Sequence, residues 1–280
     1  MSKLPDPKGF NNHVVVLHKS ITFDSDVTDE EKKEILQKTY KAINKNRVYK
    51  FIFNILNKRF LDSIDDATKQ KVYQEYLRYD YINNSPCVLL CDNNNDIKSI
   101  AVHRTKDGKK WLKRKGSDGK YVHHNIFDFV VYVAYGMGEL LILELLQLPY
   151  IAFQSDGVAH SLDTNKQFNE EVKPLLKDKL VVMLLDNDNT CLNTVAPIQE
   201  NLKGISKLCL PIQMIDLLVT SAFYNDTDNR ASQEARNIWK QNQTLDAKYD
   251  FKDYVLNEFS PENIKDIVYK TIENKIKGIL

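Results

Sequence analysis

The chain has 280 residues, 42% of them hydrophobic, which is enough to bury a full core and excludes a disordered polymer. Lys and Arg number 39 against 38 Asp and Glu, a net charge of +1, so any electrostatic bias toward nucleic acid or membrane has to be local. No basic start joins an apolar stretch of signal-peptide length, and the apolar runs fall far short of the ~20 residues that cross a bilayer, so the sequence reads as soluble and cytoplasmic, with no membrane role.

Four regions follow one another, with expected boundaries 1–85, 86–126, 127–225 and 226–280. The first opens with a short apolar strand, Val14 to Leu17. From Thr28 to about Asn83 it then lacks Gly and Pro and carries Ile35, Tyr40, Ile43, Ile52, Ile55 and Leu56 at helical spacing. Thr28-Asp29-Glu30-Glu31 has the form of a capping box. The second region changes to short apolar runs, Cys87–Cys91 and Ile97–His103, separated by Asp92-Asn-Asn-Asn95 and followed by Asp107-Gly108 and Asp118-Gly119. Asp-Gly between extended runs is a hairpin signal, so this segment reads as small antiparallel β.

In the third region strands and helices alternate: strand Phe129–Ala134, helix Glu139–Leu148, strand Tyr150–Phe153, helix Phe168–Leu176, strand Leu180–Leu185, helix Val195–Leu202 and strand Lys207–Ile212. That alternation predicts an α/β fold with a parallel sheet flanked by helices. The last region carries two helices, Ser232–Lys240 and Pro261–Lys277, whose packing partner is not readable from the sequence. Cys87, Cys91, Cys191 and Cys209 lie on or beside apolar runs without Cys-x-x-Cys pairing, and read as buried thiols of a reducing compartment.

Chemistry gathers where apolar strands stop. Val181-Val-Met-Leu-Leu ends on Asp186 and Asp188, and residues at i and i+2 of an extended chain face the same way, so both carboxylates can meet a hard cation past the strand end. Asp and Asn are also ordinary turn residues at such a place. Ligands of open α/β sheets bind beyond the carboxyl ends of the strands, where Tyr135-Gly136-Met-Gly138-Glu139 forms a second unusual end and Gln154-Ser-Asp156-Gly157 a third. Glu139 is either a ligand turned back over the loop or a charge suited to a helix start, and the Gly-x-Gly serves either close packing or a phosphate at the helix N-terminus.

A strand, a Gly turn carrying acid, a helix, a strand ending in a polar turn and a strand ending in Asp-x-Asp together resemble the Toprim domain of bacterial-type primases, topoisomerases of types IA and II and related nucleases. The resemblance covers about Phe127 to Ile212. It extends to the basic β segment before it, and to Tyr249-Asp-Phe-Lys-Asp253-Tyr, which is similar to a Lys-Asp element found after Toprim in some plasmid and phage primases. It implies Asp186 and Asp188 as the metal pair, holding Mg²⁺ or Mn²⁺, with Glu139 as helper. At the position of the family's catalytic Glu stands Tyr135.

The β segment supplies the local charge. Arg104, Lys106, Lys109, Lys110, Lys113, Arg114, Lys115 and Lys120 face only Asp107 and Asp118, with Trp111 and Tyr121 interleaved. Cations for phosphates and rings for bases are what a single-stranded DNA or RNA groove requires, and Arg104, Lys110, Trp111, Lys113, Arg114 and Lys115 are the candidate contacts; the other reading is a solvated hairpin with a charged tip. His123 and His124 have no metal partner in the sequence and read as surface residues.

These features imply a Toprim-domain protein of a mobile element active in DNA replication, with catalytic residues Glu139, Asp186 and Asp188. Its reaction would be Mg²⁺-dependent, primase-like transfer of nucleoside triphosphates on a single-stranded template, in company with a helicase or replication protein. Three alternatives stay open: an accessory nucleic-acid-binding protein whose catalysis went with the Tyr135 departure, a Toprim nuclease, and a phosphohydrolase of the haloacid-dehalogenase type with Asp186 as nucleophile and Asp188 as general acid/base.

Overall fold

The computed structural model describes residues 28, 30, 56–80, 85–94, 96–103, 111–113, 118–224, 233–246, 249–257 and 261–278. The expected strand Val14–Leu17 and nearly all of the expected helical stretch before Leu56 lie outside them. The chain divides into two compact units, the first ending at His123 and the second starting at His124.

In the first unit two helices, α1 (Lys58–Ser63) and α2 (Asp66–Tyr76), are capped by Asn57 and Asp65, whose side chains accept the amides of Phe60 and Thr68, each at 2.9 Å. An antiparallel sheet follows in the order β1 (Leu77–Asp80), β2 (Ser85–Cys91), β3 (Ile97–His103), β4 (Trp111–Lys113). Strand β1 lies within the stretch expected to be helical. Leu77 and Tyr79 are buried on either side of half-buried Arg78, a period of two, and Leu77 pairs with Val88. The helix passes into the strand at Leu77 without Gly or Pro, so nothing local marks the change.

The β2–β3 connection is an Asx turn: Asp92 Oδ1 accepts the amides of Asn94 and Asp96, both at 2.9 Å, and Oδ2 meets Lys98 at 2.7 Å. Cys87 and Cys91 pack with Leu89, Ile97, Ile100 and Val102, and all four cysteines are free thiols, Cys87 and Cys191 fully buried. His123 is not a surface residue. It is 8% exposed, and its Nε2 lies 3.3 Å from the hydroxyl of Tyr76, whose ring it meets edge-on.

The second unit is built on a five-stranded, mostly parallel sheet in the order β5 (His123–Asn125), β7 (Tyr150–Ala152), β6 (Val130–Ala134), β8 (Leu180–Leu185), β9 (Leu208–Gln213). Strand β6 pairs in parallel with β7 and β8, and β8 with β9, whose register runs from Leu180↔Leu208 to Leu185↔Gln213. Every residue of β8 is buried, as a continuous apolar run without polar alternation predicts for a central parallel strand.

Helix α3 (Met137–Leu145) is buried at all nine positions, because it is apolar all round apart from Glu139 and Glu144. Glu144 accepts from Tyr150 Oη at 2.8 Å and Asn125 Nδ2 at 3.0 Å. A short helix, α4 (Asp156–Ala159), follows β7. The segment expected to be a helix at Phe168–Leu176 is one π turn, Phe168–Val172, continued as a 3₁₀ turn, Lys173–Leu176; Pro174 has no N–H to continue an α ladder. Two helices, α5 (Asn189–Leu192) and α6 (Val195–Leu202), connect β8 to β9, and α7 (Met214–Ala222) leaves β9 through a capping box between Gln213 and Asp216.

The C-terminal helices α8 (Gln233–Gln241), α9 (Phe251–Asn257) and α10 (Pro261–Ile276) pack onto this unit, α8 and α10 against α7 and α9 against α3. Asp216, with no exposed surface, holds two of them at once, bonding Lys240 at 2.9 Å and Lys275 at 2.8 Å. Among the described residues no helix is long and apolar enough to cross a membrane.

Candidate active site

Strands β6 and β8 are neighbours whose chains leave in opposite directions: β6 leads through α3 to β7 on one side, β8 through α5 and α6 to β9 on the other. A crevice opens beyond the carboxyl ends of two such strands, the usual ligand position in open α/β sheets. Glu139, from the β6–α3 turn, and Asp186, the first residue past β8, both stand at this point.

The turn after β6 brings Glu139 back. Gly136 caps α3 with an extended backbone, and Glu139, in the first helical turn, folds its carboxylate over the loop so that Oε2 accepts the Tyr135 amide at 2.6 Å. The residue is 5% exposed, and its other oxygen, Oε1, is buried without accepting any hydrogen bond from the described protein. Burial, then the negative charges of Asp186 and Asp250, push the Glu139 carboxyl well above the ordinary carboxylate range, with the Tyr135 amide opposing them. Two carboxylates facing each other in a buried crevice are compatible only through a shared proton or a cation between them.

Asp188 caps the next helix. Strand β8 ends at Leu185, and Asp188 becomes the N-cap of α5, its Oδ1 accepting the Cys191 amide at 2.7 Å. Asn187, between the two aspartates, reaches the C-terminal segment: its amide donates to the Tyr249 carbonyl at 3.0 Å, and its Nδ2 to the carbonyls of Asp246 at 3.2 Å and Leu245 at 3.4 Å.

That segment delivers a third carboxylate, on Asp250, and a cation, Lys252. The Lys252 ammonium lies 3.7 Å from Asp250 Oδ2 and 3.5 Å from Asp253 Oδ1, and its stem crosses Gly138, where an added Cβ would sit 3.2 Å from Cδ. Burial raises the Asp250 carboxyl despite Lys252 and the Asp253 amide; for Lys252 the carboxylates of Asp250, Asp253 and Glu139 overcome burial and raise the ammonium. Asp250 and Lys252 were not among the expected site residues. The resemblance of Tyr249–Tyr254 to a Lys-Asp element was the available signal.

Tyr135 is built into the protein. It is 7% exposed, its hydroxyl lies 3.0 Å from Thr194 Oγ1 and its ring 6.0 Å from that of Phe153. Of the basic strip, Trp111 and Lys113 lie on β4, whereas Arg104, Lys110, Arg114 and Lys115 fall outside the described residues.

The donor set suits a small hard cation. Among the described residues no group of three or more His, Cys, Asp or Glu is arranged to hold an ion as it stands. Mg²⁺, however, is commonly bound by one or two carboxylates with water and substrate phosphates completing the octahedron. Glu139 and Asp186 supply two such carboxylates, one with an unengaged buried oxygen.

No family model matches the chain, and no curated protein is similar to it. Among solved structures it is similar to the primase fragment of the bacteriophage T7 primase-helicase protein, at 14% identity and a TM-score of 0.38 over 50% of this chain and 60% of that one. It is similar also to the zinc-binding and RNA polymerase domains of the Aquifex aeolicus primase, at 11% identity and a TM-score of 0.48 over 89% and 63% of the two chains. A third is a DNA primase domain from Pseudomonas aeruginosa, at 10% identity and a TM-score of 0.31 over 75% and 83%. The chain spans 60% and 63% of the length of the first two.

Proposed function

We propose that this protein is a primase-like enzyme that joins nucleotides on a nucleic-acid template with a divalent cation held by Glu139 and Asp186. The observation that carries this reading is the buried Glu139 carboxylate, unengaged at Oε1 and set against Asp186 at the switch point of a parallel sheet. The primase-like part rests on the resemblance of Phe127–Ile212 to Toprim, a mobile-element origin on the likeness to plasmid and phage primases, and the template contact on the basic strip.

Mg²⁺ or Mn²⁺ bound there supplies charge neutralisation for a triphosphate and orientation of an attacking hydroxyl. The protein's own part is positional. The Tyr135 amide fixes Glu139 in its turned-back rotamer, Asp188 holds the loop after β8 by capping α5, and Lys252 provides a fixed positive charge beside the acids. A helicase or replication protein is the expected partner.

A second reading, an accessory nucleic-acid-binding protein without catalysis, is favoured by Tyr135. At the position of the family's catalytic Glu the chain places a side chain bonded to Thr194 and packed on Phe153. One experiment separates the two. The protein and its Asp186→Ala/Asp188→Ala variant are incubated with single-stranded DNA, ribo- and deoxyribonucleoside triphosphates and Mg²⁺ or Mn²⁺. Short products lost in the variant are expected; cuts in place of products indicate a nuclease, and DNA binding without either outcome supports the accessory reading.

A further inference from the structure

We infer that Asn187 is a positioning residue that fastens the segment carrying Asp250 and Lys252 to the end of β8, so that this C-terminal segment completes the carboxylate site. The inference rests on the metal-site reading above. Leu245, Asp246 and Tyr249 belong to no strand or helix, and their carbonyls need donors. Asn187 gives three, one from the backbone and two from the side-chain amide, to Tyr249, Asp246 and Leu245.

The fastened residues lead directly into Asp250, whose Oδ1 accepts the Asp253 amide at 2.7 Å and whose carbonyl accepts the Tyr254 amide at 3.0 Å, starting α9. Helix α9 packs on α3, and Lys252 crosses Gly138 one residue before Glu139. The residue between the two aspartates of Asp-x-Asp is thus the mechanical link between two parts of the site lying more than fifty residues apart in sequence. An Ala there keeps the backbone bond to Tyr249 and loses both side-chain donors. An Asp would turn those donors into acceptors facing carbonyls.

The test uses the full chain in four variants, Asn187→Ala, Asp250→Asn, their double and Asp186→Asn, with Mn²⁺ binding followed by calorimetry and amide hydrogen exchange followed without metal. Outer-shell partners of metal sites typically change affinity by ~10–100-fold, so Asn187→Ala is expected to weaken Mn²⁺ by roughly tenfold. Asp250→Asn should then cost much less in the Asn187→Ala background than alone, because the arm is already displaced. Exchange across 249–257 should quicken in Asn187→Ala while β8 stays protected.

Unchanged exchange in 249–257, or losses in affinity that simply multiply in the double variant, would overturn the inference. Wild-type Mn²⁺ affinity in Asp186→Asn would instead overturn the metal reading and the role given to the arm, leaving the exchange data to judge the fastening alone. If Asn187→Ala does not fold, Asn187→Ser replaces it in the same comparisons.

Discussion

Lys252 crosses Gly138 so closely that a methyl group on Gly138 would lie 3.2 Å from its Cδ. The approach is tighter than ordinary packing, and what it meets is a flexible stem. Gly138→Ala should therefore fold: the helix gains up to about 1 kcal/mol of propensity, set against the displacement of the lysine. With its ammonium moved from the acids, a competing positive charge is reduced, and Mn²⁺ should bind roughly two- to fivefold more tightly, the scale of a partly exposed ion pair. Calorimetry beside a melting curve checks both parts, and weakened Mn²⁺ binding would show that Lys252 assists the ion.

Glu139 sets a pH dependence. Its carboxyl is held well above its ordinary value of 4.5 by burial and by Asp186 and Asp250, so between 4.5 and its raised value the native protein keeps a proton that the unfolded chain has lost. Stability of the metal-free protein is then full below 4.5 and falls as pH rises through that window. Glu139→Gln should flatten the fall. Mn²⁺ needs the ionised carboxylate, so its affinity should rise with pH over the same range. A melting temperature rising with pH in metal-free buffer would contradict the assignment.

Asp216 predicts a different kind of loss. It has no exposed surface and bonds lysines of α8 and α10, so Asp216→Ala strips the partner from two ammonium groups and the box from α7. The two lysines are partly exposed and water can take up their charge, so the loss is about 1.5–3 kcal/mol, a melting-temperature drop of roughly 3–12 °C for a unit of this size. Thermal unfolding measures it; a drop below about 2 °C would mean that the lysines find other partners.

Strand β4 brings Lys113 into the first unit's sheet, next to Arg114 and Lys115 in sequence. Reversing these three charges should weaken single-stranded DNA binding and reduce the slope of log K against log salt by about 2, at ~0.7 for each phosphate that is no longer neutralised. A titration at several salt concentrations reads both, and an unaltered slope would remove the strip from the nucleic-acid interface.

Sequence patterning carried the parallel sheet well, because strands such as Leu180–Leu185 are continuous apolar runs that stop on acids. It missed β1, since Leu77–Asp80 follows a helix without a breaker and becomes a strand only by pairing with Ser85–Val88. It misread His123, which is buried and meets Tyr76, far away in sequence. At the site, Glu139 and Asp186 were legible as acids at strand ends. Asp188 has a second role that spacing does not announce: its backbone is extended, and its Oδ1 caps the helix that follows. Asp250 and Lys252 were signalled only by the resemblance of Tyr249–Tyr254 to a Lys-Asp element, since tertiary contacts between distant segments leave no local spacing.

The bond from Asn187 to Tyr249 also bears on biosynthesis. Asp250 is added 64 positions after Asp186, an interval of about 3–13 s at ordinary elongation rates. Through that interval the nascent chain carries Glu139 and Asp186 without the neighbouring carboxylate and lysine. The crevice beyond β6 and β8 therefore receives Asp250 and Lys252 only after the C-terminal segment has left the ribosome, a built-in delay between folding the sheet and gaining the charges beside it.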